Sequence, residues 1–426
     1  MRNALVTAVC LLLTGCSYLP WLSGEKDPNP PSELVEFTPE LTVKTLWQVD
    51  AGEGAEEQRL KLVPVLHRGR LHIADREGQV AAFQASDGQR LWQAETGLPI
   101  SAGPGIGEGL LLVGTSDAEL VALSDTDGSE RWRTRLSSEI LSVPRIQRGI
   151  VVVHTLDGVV SGLDAQNGAE LWNYKRATPV LSLRGSSTPV IQGNRVIVGF
   201  EGGRLVSLEL DTGTPLWDVL VSQPRGRSEL ERMVDIDADP VVSYGAIFVC
   251  TYQGDIAAVS EDTGVVLWRR KLSSHAGLNV DWRYLYVTDS EDQVWALDPQ
   301  SSGSVWKQDQ LRYRRLTAPA LLGGYLVVGD FEGYLHWLSS EDGRVLARIE
   351  VADDEPISHQ PLVQDGRVFV YADDGTLTAL APEGYAPTSP ASTSSARPAG
   401  LAPPSPEQNP GAPRGVSAGA GNPNEF

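Results

Sequence analysis

Three aspartates at alternate positions, Asp235, Asp237 and Asp239, form a group of candidate metal ligands in this chain of 426 residues. A calcium-binding loop that begins in this way needs a glycine at its sixth position and a glutamate at its twelfth. Those positions hold Pro240 and Ala246 here. The sequence therefore does not predict a calcium site at these carboxylates.

Other residue types that could perform catalysis are scattered along the chain. The six histidines, at positions 67, 72, 154, 275, 336 and 359, show no compact zinc-binding spacing. The chain has neither a Gly-x-Ser-x-Gly nucleophile motif nor a Walker-type phosphate-binding motif. The glycine-rich segment 103–109 precedes an apolar strand, so it suits a turn better than a phosphate loop at a helix start. We predict no catalytic, metal-binding or cofactor-binding residues, and hence no enzyme.

Cys16 is the residue for which the sequence predicts covalent chemistry. It follows a positively charged start at Arg2, an apolar run over 4–13 and two small residues. This order is typical of a bacterial lipoprotein signal, in which the chain is cleaved before the cysteine and the thiol is acylated, for example with palmitate. An ordinary signal peptide is the alternative. Ser17 replaces the aspartate that retains enteric lipoproteins in the inner membrane, which points to a lipid-anchored, periplasm-facing protein of the outer membrane.

Composition narrows the classes of partner. The net charge of -20 disfavours nucleic acid, because an acidic surface repels phosphate backbones. An apolar fraction of 41% is enough for a large core. Of the three cysteines, Cys10 and Cys16 lie in the leader and Cys250 lies in an apolar strand, so no disulfide framework is predicted.

A repeated unit organises most of the chain. Its ending falls at Trp47, Trp92, Trp132, Trp172, Trp217, Trp268, Trp306 and Ala347. A proline stands 28 residues before six of the endings, at positions 64, 104, 144, 189, 240 and 319. Between these markers lie short apolar runs separated by glycine-containing turns, which are signals of β-hairpins. We predict eight units of four antiparallel strands, the pattern of an all-β, eight-bladed β-propeller.

The two ends of the repeat array complement each other. The last unit has three strands over 361–380 but no outer strand, whereas the strand at 43–49 has no unit before it. We therefore predict that 43–49 pairs antiparallel with residues near 376–380 and closes the ring. We also predict that the repeated tryptophans pack between neighbouring blades.

Length variation is confined to the connections between units. From each ending to the next proline marker, or to Leu278 where that marker is missing, the spacing ranges from 10 to 23 residues. These connections lie on one rim of a propeller, where elaborated loops commonly carry binding. Two long connections, 172–189 and 217–240, hold the candidate binding residues Leu181, Leu183, Arg184, Asp235 and Asp237. We predict that Leu183 and Arg184 contact a partner. The alternative is that the leucines anchor their loop to the rim.

The repeat resembles that of pyrroloquinoline quinone (PQQ) dehydrogenases, which are eight-bladed propellers. The lipoprotein signal and the segments "LSLRG" (181–185) and "DIDADPVV" (235–242) make residues 1 to about 381 similar to the BamB family of the β-barrel assembly machinery. That resemblance implies a non-catalytic scaffold that assists insertion of β-barrel proteins into the outer membrane. It also implies that the two segments form neighbouring loops, whose five candidate residues bind the periplasmic POTRA domains of BamA. Binding of other subunits is implied as well, and direct binding of unfolded barrel substrates is left open.

Two alternatives remain at this point. One is a PQQ-dependent dehydrogenase, although the adjacent cysteines that many such enzymes stack against the quinone are missing. The other is a scaffold for a different envelope client, because a fold does not fix a function. The predicted organisation is a signal peptide over 1–15, a lipidated extended tether over 16–40, a propeller over 41–381, and a disordered tail over 382–426 rich in Pro, Ala, Ser and Gly.

Overall fold

The computed structural model describes residues 28–56, 58–177, 179, 181 and 183–385. The predicted signal peptide, Cys16 and nearly all of the predicted tail lie outside the described residues. All regular elements in the described part of the chain are β-strands. No helix of these residues has the length and apolar character needed to cross a membrane.

The strands, in chain order, are β1 Val43–Asp50; β2 Lys61–Leu62; β3 Val65–His67, β4 Arg70–Ala74, β5 Gln79–Gln84 and β6 Arg90–Glu95; β7 Ile100–Gly107, β8 Leu110–Thr115, β9 Glu119–Ser124 and β10 Glu130–Arg135; β11 Arg145–Gln147, β12 Ile150–Thr155, β13 Val159–Asp164 and β14 Glu170–Lys175; β15 Val190–Gln192, β16 Arg195–Phe200, β17 Arg204–Glu209 and β18 Pro215–Leu220; β19 Val241–Ser243, β20 Ala246–Cys250, β21 Asp255–Ser260 and β22 Val266–Lys271; β23 Gly277–Val280, β24 Leu285–Thr288, β25 Val294–Leu297 and β26 Ser304–Gln308; β27 Ala320–Leu322, β28 Tyr325–Gly329, β29 Tyr334–Ser339 and β30 Val345–Glu350; and β31 Leu362–Gln364, β32 Arg367–Tyr371 and β33 Thr376–Pro382.

These strands form the eight blades that the repeat predicts. Blades 1 to 7 are built from β3–β6, β7–β10, β11–β14, β15–β18, β19–β22, β23–β26 and β27–β30, each in sequential antiparallel order. Blade 8 has the order β1-β33-β32-β31. There Val43 lies opposite Pro382 and Asp50 opposite Thr376, so this sheet joins strands from the two ends of the array, with the predicted pairing. The fold class predicted from the sequence is confirmed.

Blade 2 has one addition that the sequence analysis did not predict. The short β2 pairs in parallel with β7, with Lys61 opposite Ala102 and Leu62 opposite Gly103. It extends blade 2 to five strands on the side of its innermost strand. The innermost strands of a propeller surround its central channel, so β2 lies on the channel side of the blade.

The core lies between the blades. Middle strands such as β12 (IVVVHT) are buried along their whole length, because a neighbouring blade covers each face. Outer strands such as β6 alternate between more and less exposed residues, because successive side chains point to opposite faces of the sheet. Buried apolar clusters therefore join the facing sheets of adjacent blades, as where Val152 of blade 3 and Val198 of blade 4 share one cluster. Removal of this apolar surface from water is the main stabilising term, at about 25 cal/mol per Å².

The repeated tryptophans connect each blade to the next, as predicted. Six of them donate their indole Nε1–H to a backbone carbonyl of the following blade at 2.8–3.2 Å: Trp47 to Ala85, Trp132 to Ala165, Trp172 to Leu210, Trp217 to Glu261, Trp268 to Pro299 and Trp306 to Ser340. The indole of Trp172 covers Gly213, whose φ is +68° and where a Cβ would lie 2.4 Å from Trp172 Cε3. Glycine is required there both for the turn and for the close packing.

The described part of the predicted tether is bound to blade 7. The Ser32 amide donates to the Arg312 carbonyl at 2.9 Å, and the Glu40 amide donates to the Leu346 carbonyl at 2.9 Å. The Arg348 guanidinium lies 5.3 Å from the centroid of the Phe37 ring. Residues 28–42 thus follow the outer strand β30 without forming a strand themselves.

Candidate partner-binding rim

Two long loops lie side by side on the rim where the outer strand of each blade connects to the inner strand of the next. We call this the connecting rim. The leucine loop, residues 176–189, joins β14 to β15, and the aspartate loop, residues 221–240, joins β18 to β19. Because strands alternate in direction within every blade, all such connections emerge on the same rim. The resemblance implied two neighbouring loops, and hydrogen bonds join them directly.

Asp235 of the aspartate loop holds the leucine loop in place. Its carboxylate accepts a hydrogen bond from the Leu183 amide at 2.9 Å and another from the Gly202 amide at 3.1 Å. The side chain is buried, with 1% of the residue exposed. Direct contact between Asp235 and a partner, as the sequence analysis predicted, is therefore not supported by this geometry. Its carboxylate instead satisfies two amides of irregular backbone, which would otherwise be unpaired.

Asp237 lies beneath the leucine loop. A Cβ at Gly185 would be in van der Waals contact with Asp237 Cγ, at 3.4 Å, so the carboxyl lies next to this backbone. Asp237 Oδ2 is buried, and no described residue forms a hydrogen bond with it. Burial, and then the nearby carboxylates of Asp235 and Glu201, raise the pKa of Asp237 to about 7. This aspartate too supports the loop from below.

Glu201 completes the acidic group under the leucine loop. Only 7% of this residue is exposed. Burial, and to a smaller extent the charges of Asp235 and Asp157, raise the pKa of Glu201 to about 7. A buried carboxyl with a raised pKa destabilises the fold when it ionises. Glu201 was not predicted from the sequence, because a lone glutamate in a strand–turn segment carries no signal of proximity to residues 235–237.

Of the five predicted residues, Leu181 and Arg184 are the ones exposed to solvent on the leucine loop. Leu181 is 42% exposed and Leu183 is half-buried. The Arg184 guanidinium donates to Glu139 Oε1 at 2.5 Å and to the Arg59 carbonyl at 3.1 Å. It is 44% exposed, so these contacts orient the group without hiding it. The predicted set therefore separates into solvent-facing residues and supporting aspartates.

A groove of about 410 Å³ lies next to Arg184 on the connecting rim. Leu60, Leu98 and Pro99 contribute apolar surface to it, and Arg184 forms part of its wall. A groove with both polar and apolar walls beside an exposed arginine is a suitable site for a polypeptide side chain.

The remaining candidate ligands form no metal site in the described part of the chain. No three His, Cys, Asp or Glu residues of that part are arranged to hold a metal ion. Asp239, the third of the alternate aspartates, accepts from Lys61 Nζ at 2.5 Å and from the Thr188 amide at 2.7 Å. Cys250 is a buried free thiol, and burial raises its pKa to about 12, so it is not a reactive thiolate.

Sequence and structure comparisons point to one family. The profile described as "Outer membrane protein assembly factor BamB" matches residues 35–97, 76–308 and 312–384. Proteins of that name are 51% identical in Alkalilimnicola ehrlichii (89% of this chain, 97% of the relative) and 44% identical in Pseudomonas aeruginosa (89% and 98%). The Escherichia coli protein of that name is 35% identical over 87% of this chain and 96% of its own length.

Solved structures give the same grouping. The crystal structure of BamB from Moraxella catarrhalis has a TM-score of 0.73 and 26% identity, and the match covers 80% of this chain and all of that one. A quinohemoprotein alcohol dehydrogenase from Comamonas testosteroni has a TM-score of 0.64 but 12% identity, over 79% of this chain and 76% of the other, and so shares the fold alone. The chain belongs to the outer membrane protein assembly factor BamB family.

Proposed function

We propose that this chain is a non-catalytic scaffold lipoprotein of the β-barrel assembly machinery. Its relatives are named as outer membrane protein assembly factors, which places this chain with the other subunits of that machinery at the outer membrane. In finer detail, acyl chains on Cys16 hold the propeller on the periplasmic side of that membrane. The leucine loop binds the periplasmic POTRA domains of BamA.

The leucine loop is the observation that carries this proposal. It exposes Leu181 and Arg184 next to a groove, while Asp235 fixes its backbone from below. An apolar side chain beside an oriented guanidinium is typical of a binding hot spot. A loop already held in one conformation loses less entropy on binding than a mobile one.

The dehydrogenase alternative does not fit the residues of the central channel. Such enzymes hold the quinone and Ca²⁺ in that channel. Here β2 lies against the innermost strand of blade 2, and the Lys61 side chain reaches from it to Asp239 at the start of blade 5. The chain's own residues therefore occupy part of the channel.

Binding to purified BamA periplasmic domains tests the proposal. We expect Arg184→Glu to weaken binding by about 30-fold or more, because a hot-spot loss is worth about 2 kcal/mol or more. The matched control is Arg148→Glu. Arg148 is also exposed and bonds to Asn194 and Asp211 of the next blade, but it lies in the β11–β12 turn on the opposite rim. Both exposed arginine contacts contribute little to stability, so both variants should fold.

Each outcome separates a different part of the proposal. Equal binding by both variants and the unchanged protein would show that the contact lies elsewhere on the disc. A failure of the unchanged protein to bind would remove BamA as the direct partner and direct the search to another subunit. The anchor is tested separately, since Cys16→Ser should move the protein from the membrane fraction to the soluble periplasmic fraction.

A further inference from the structure

Residues 58–62 follow β1 and enter the central channel. We call them the channel segment. Within it, Leu60 and Leu62 are buried, and β2 extends blade 2 on its channel side. The connection that contains the channel segment, from Trp47 to Pro64, is as long as that from Trp172 to Pro189, and no role was predicted for it.

The Lys61 side chain joins the channel segment to both loops of the connecting rim. Its ammonium group donates to Asp239 Oδ1 at 2.5 Å in the aspartate loop. It also donates to the Ser186 carbonyl at 3.1 Å in the leucine loop. Those loops belong to blades 3 to 5, whereas β2 is part of blade 2. One side chain therefore reaches across the channel to two loops of other blades.

Two further contacts make the connection continuous. The Arg59 carbonyl accepts from Arg184 Nη1 at 3.1 Å, so the channel segment also orients the exposed guanidinium of the leucine loop. Asp239 Oδ1 accepts from the Thr188 amide at 2.7 Å, in addition to Lys61. Burial opposes ionisation of Asp239, but the Lys61 ammonium, the Thr188 amide and the charge of Arg145 together keep the pKa of this carboxyl below its usual value.

We propose that Lys61 is a positioning residue that holds the leucine loop in its partner-binding conformation from across the channel. This inference rests on the proposed function for the meaning of that conformation. The leucine loop has no strand of its own, and its described attachments to the aspartate loop are single hydrogen bonds at Leu183 and Thr188. The Lys61 charge fixes Asp239, which in turn fixes Thr188, and its second bond fixes Ser186. Without the ammonium, Asp239 becomes an unpaired carboxylate that is better satisfied by water than by the loop.

The test uses the full chain with Lys61→Met, which keeps the length of the side chain and removes its charge. Lys175→Met is the matched control, because Lys175 is an exposed lysine at the end of β14, next to the leucine loop but outside the contacts of the channel segment. Hydrogen exchange is measured on peptides that cover 183–190, and binding is measured with purified BamA periplasmic domains.

We expect Lys61→Met to accelerate exchange at the amides of Leu183 and Thr188 by about ten-fold, with the middle strands of the blades unchanged. We expect BamA binding to weaken by about five-fold or more, since the loop must then be ordered on binding. Lys175→Met should change neither quantity. If Lys61→Met does not fold, Asp239→Asn removes the same ion pair and is measured in the same way.

The two readouts separate the two proposals. Unchanged exchange in the leucine loop would overturn the positioning role of Lys61, whatever happens to binding. Faster exchange with unchanged BamA binding would overturn its role in partner recognition, whereas Arg184→Glu tests separately whether the leucine loop is the contact. Faster exchange with weaker binding supports both.

Discussion

The acidic group beneath the leucine loop leads to a prediction with an unusual sign. Replacement of a buried charged residue commonly destabilises a protein, but we expect Asp237→Asn to stabilise this one at pH 8. Asp237 is half-buried beside Gly185, its Oδ2 is buried with no hydrogen-bond partner among the described residues, and two other carboxylates are near. An amide of the same shape removes the repulsion and can donate to those carboxylates.

The size and pH range follow from the pKa. Asp237 has an ordinary value of 3.8 in the unfolded chain and about 7 in the fold. The folded state therefore binds more protons between these values, and stability falls as the pH rises from about 4 to about 7. The whole difference between the two pKa values corresponds to about 4 kcal/mol of unfolding free energy, at 1.36 kcal/mol per pKa unit. Because Glu201 shares the same repulsion, we expect Asp237→Asn alone to raise the free energy of unfolding at pH 8 by about 1–2 kcal/mol.

Urea unfolding at pH 5, 6, 7 and 8 measures this effect. The free energy of unfolding should decline less steeply with pH in Asp237→Asn than in the unchanged protein, and the two curves should separate most at pH 8. Asp262→Asn is the control, because Asp262 is 84% exposed and its pair with Arg195 lies at the surface. Its pH profile should match that of the unchanged protein within about 0.5 kcal/mol.

The neighbouring aspartate should behave in the opposite way. Asp235→Asn keeps one acceptor oxygen but presents an amide group to either the Leu183 or the Gly202 N–H. We therefore expect the free energy of unfolding to fall by about 1–3 kcal/mol.

The reasoning about Asp237 fails if Asp237→Asn destabilises the protein at pH 8 and leaves the pH dependence of its unfolding free energy unaltered. That result would mean that Asp237 is ionised and well solvated in the folded protein.

Three further predictions concern the propeller itself, each read from urea unfolding. Gly213→Ala should cost about 2 kcal/mol or more, because the methyl group would meet the Trp172 ring and the backbone has φ of +68°. Arg314→Met should cost about 3–5 kcal/mol, since it leaves the fully buried Asp330 carboxylate without its arginine partner. Trp47→Ala should cost about 3–5 kcal/mol and make β1 more sensitive to limited proteolysis, as expected if β1 closes the ring.

Most of the fold was predictable from the sequence because its determinants are local and repeated. Each blade is four strands joined by short turns, so apolar runs and turn glycines identify it without knowledge of distant contacts. The packing role of the tryptophans was also predictable, because their constant spacing makes each one equivalent to the next. Trp172 and Gly213 illustrate the rule, since a tryptophan in one unit requires a glycine at one position of the following unit.

The roles within the site were less predictable because they depend on distant contacts. Lys61 meets Ser186 and Asp239, which are 125 and 178 residues away, and nothing in the local pattern around Lys61 indicates either partner. The burial of Asp235 was missed for a different reason. A carboxylate that caps backbone amides and one that faces a partner have the same appearance in a sequence, and only the surrounding structure distinguishes them.

The N-terminal part of the chain relates the proposed anchor to the proposed docking site. Ser32 lies beside Arg312 and Arg314, in the connection from blade 6 to blade 7 and hence on the connecting rim. From there residues 28–42 follow blade 7 to the opposite rim, and β1 returns along blade 8 to the channel segment. If Cys16 carries the anchor, the tether leaves the disc on the same rim that presents the leucine loop. Tension on the tether would then act first on the contacts between Arg314 and Ser32. The leucine loop is farther along the path of contacts, because blade 7, β1 and the channel segment connect the tether to it.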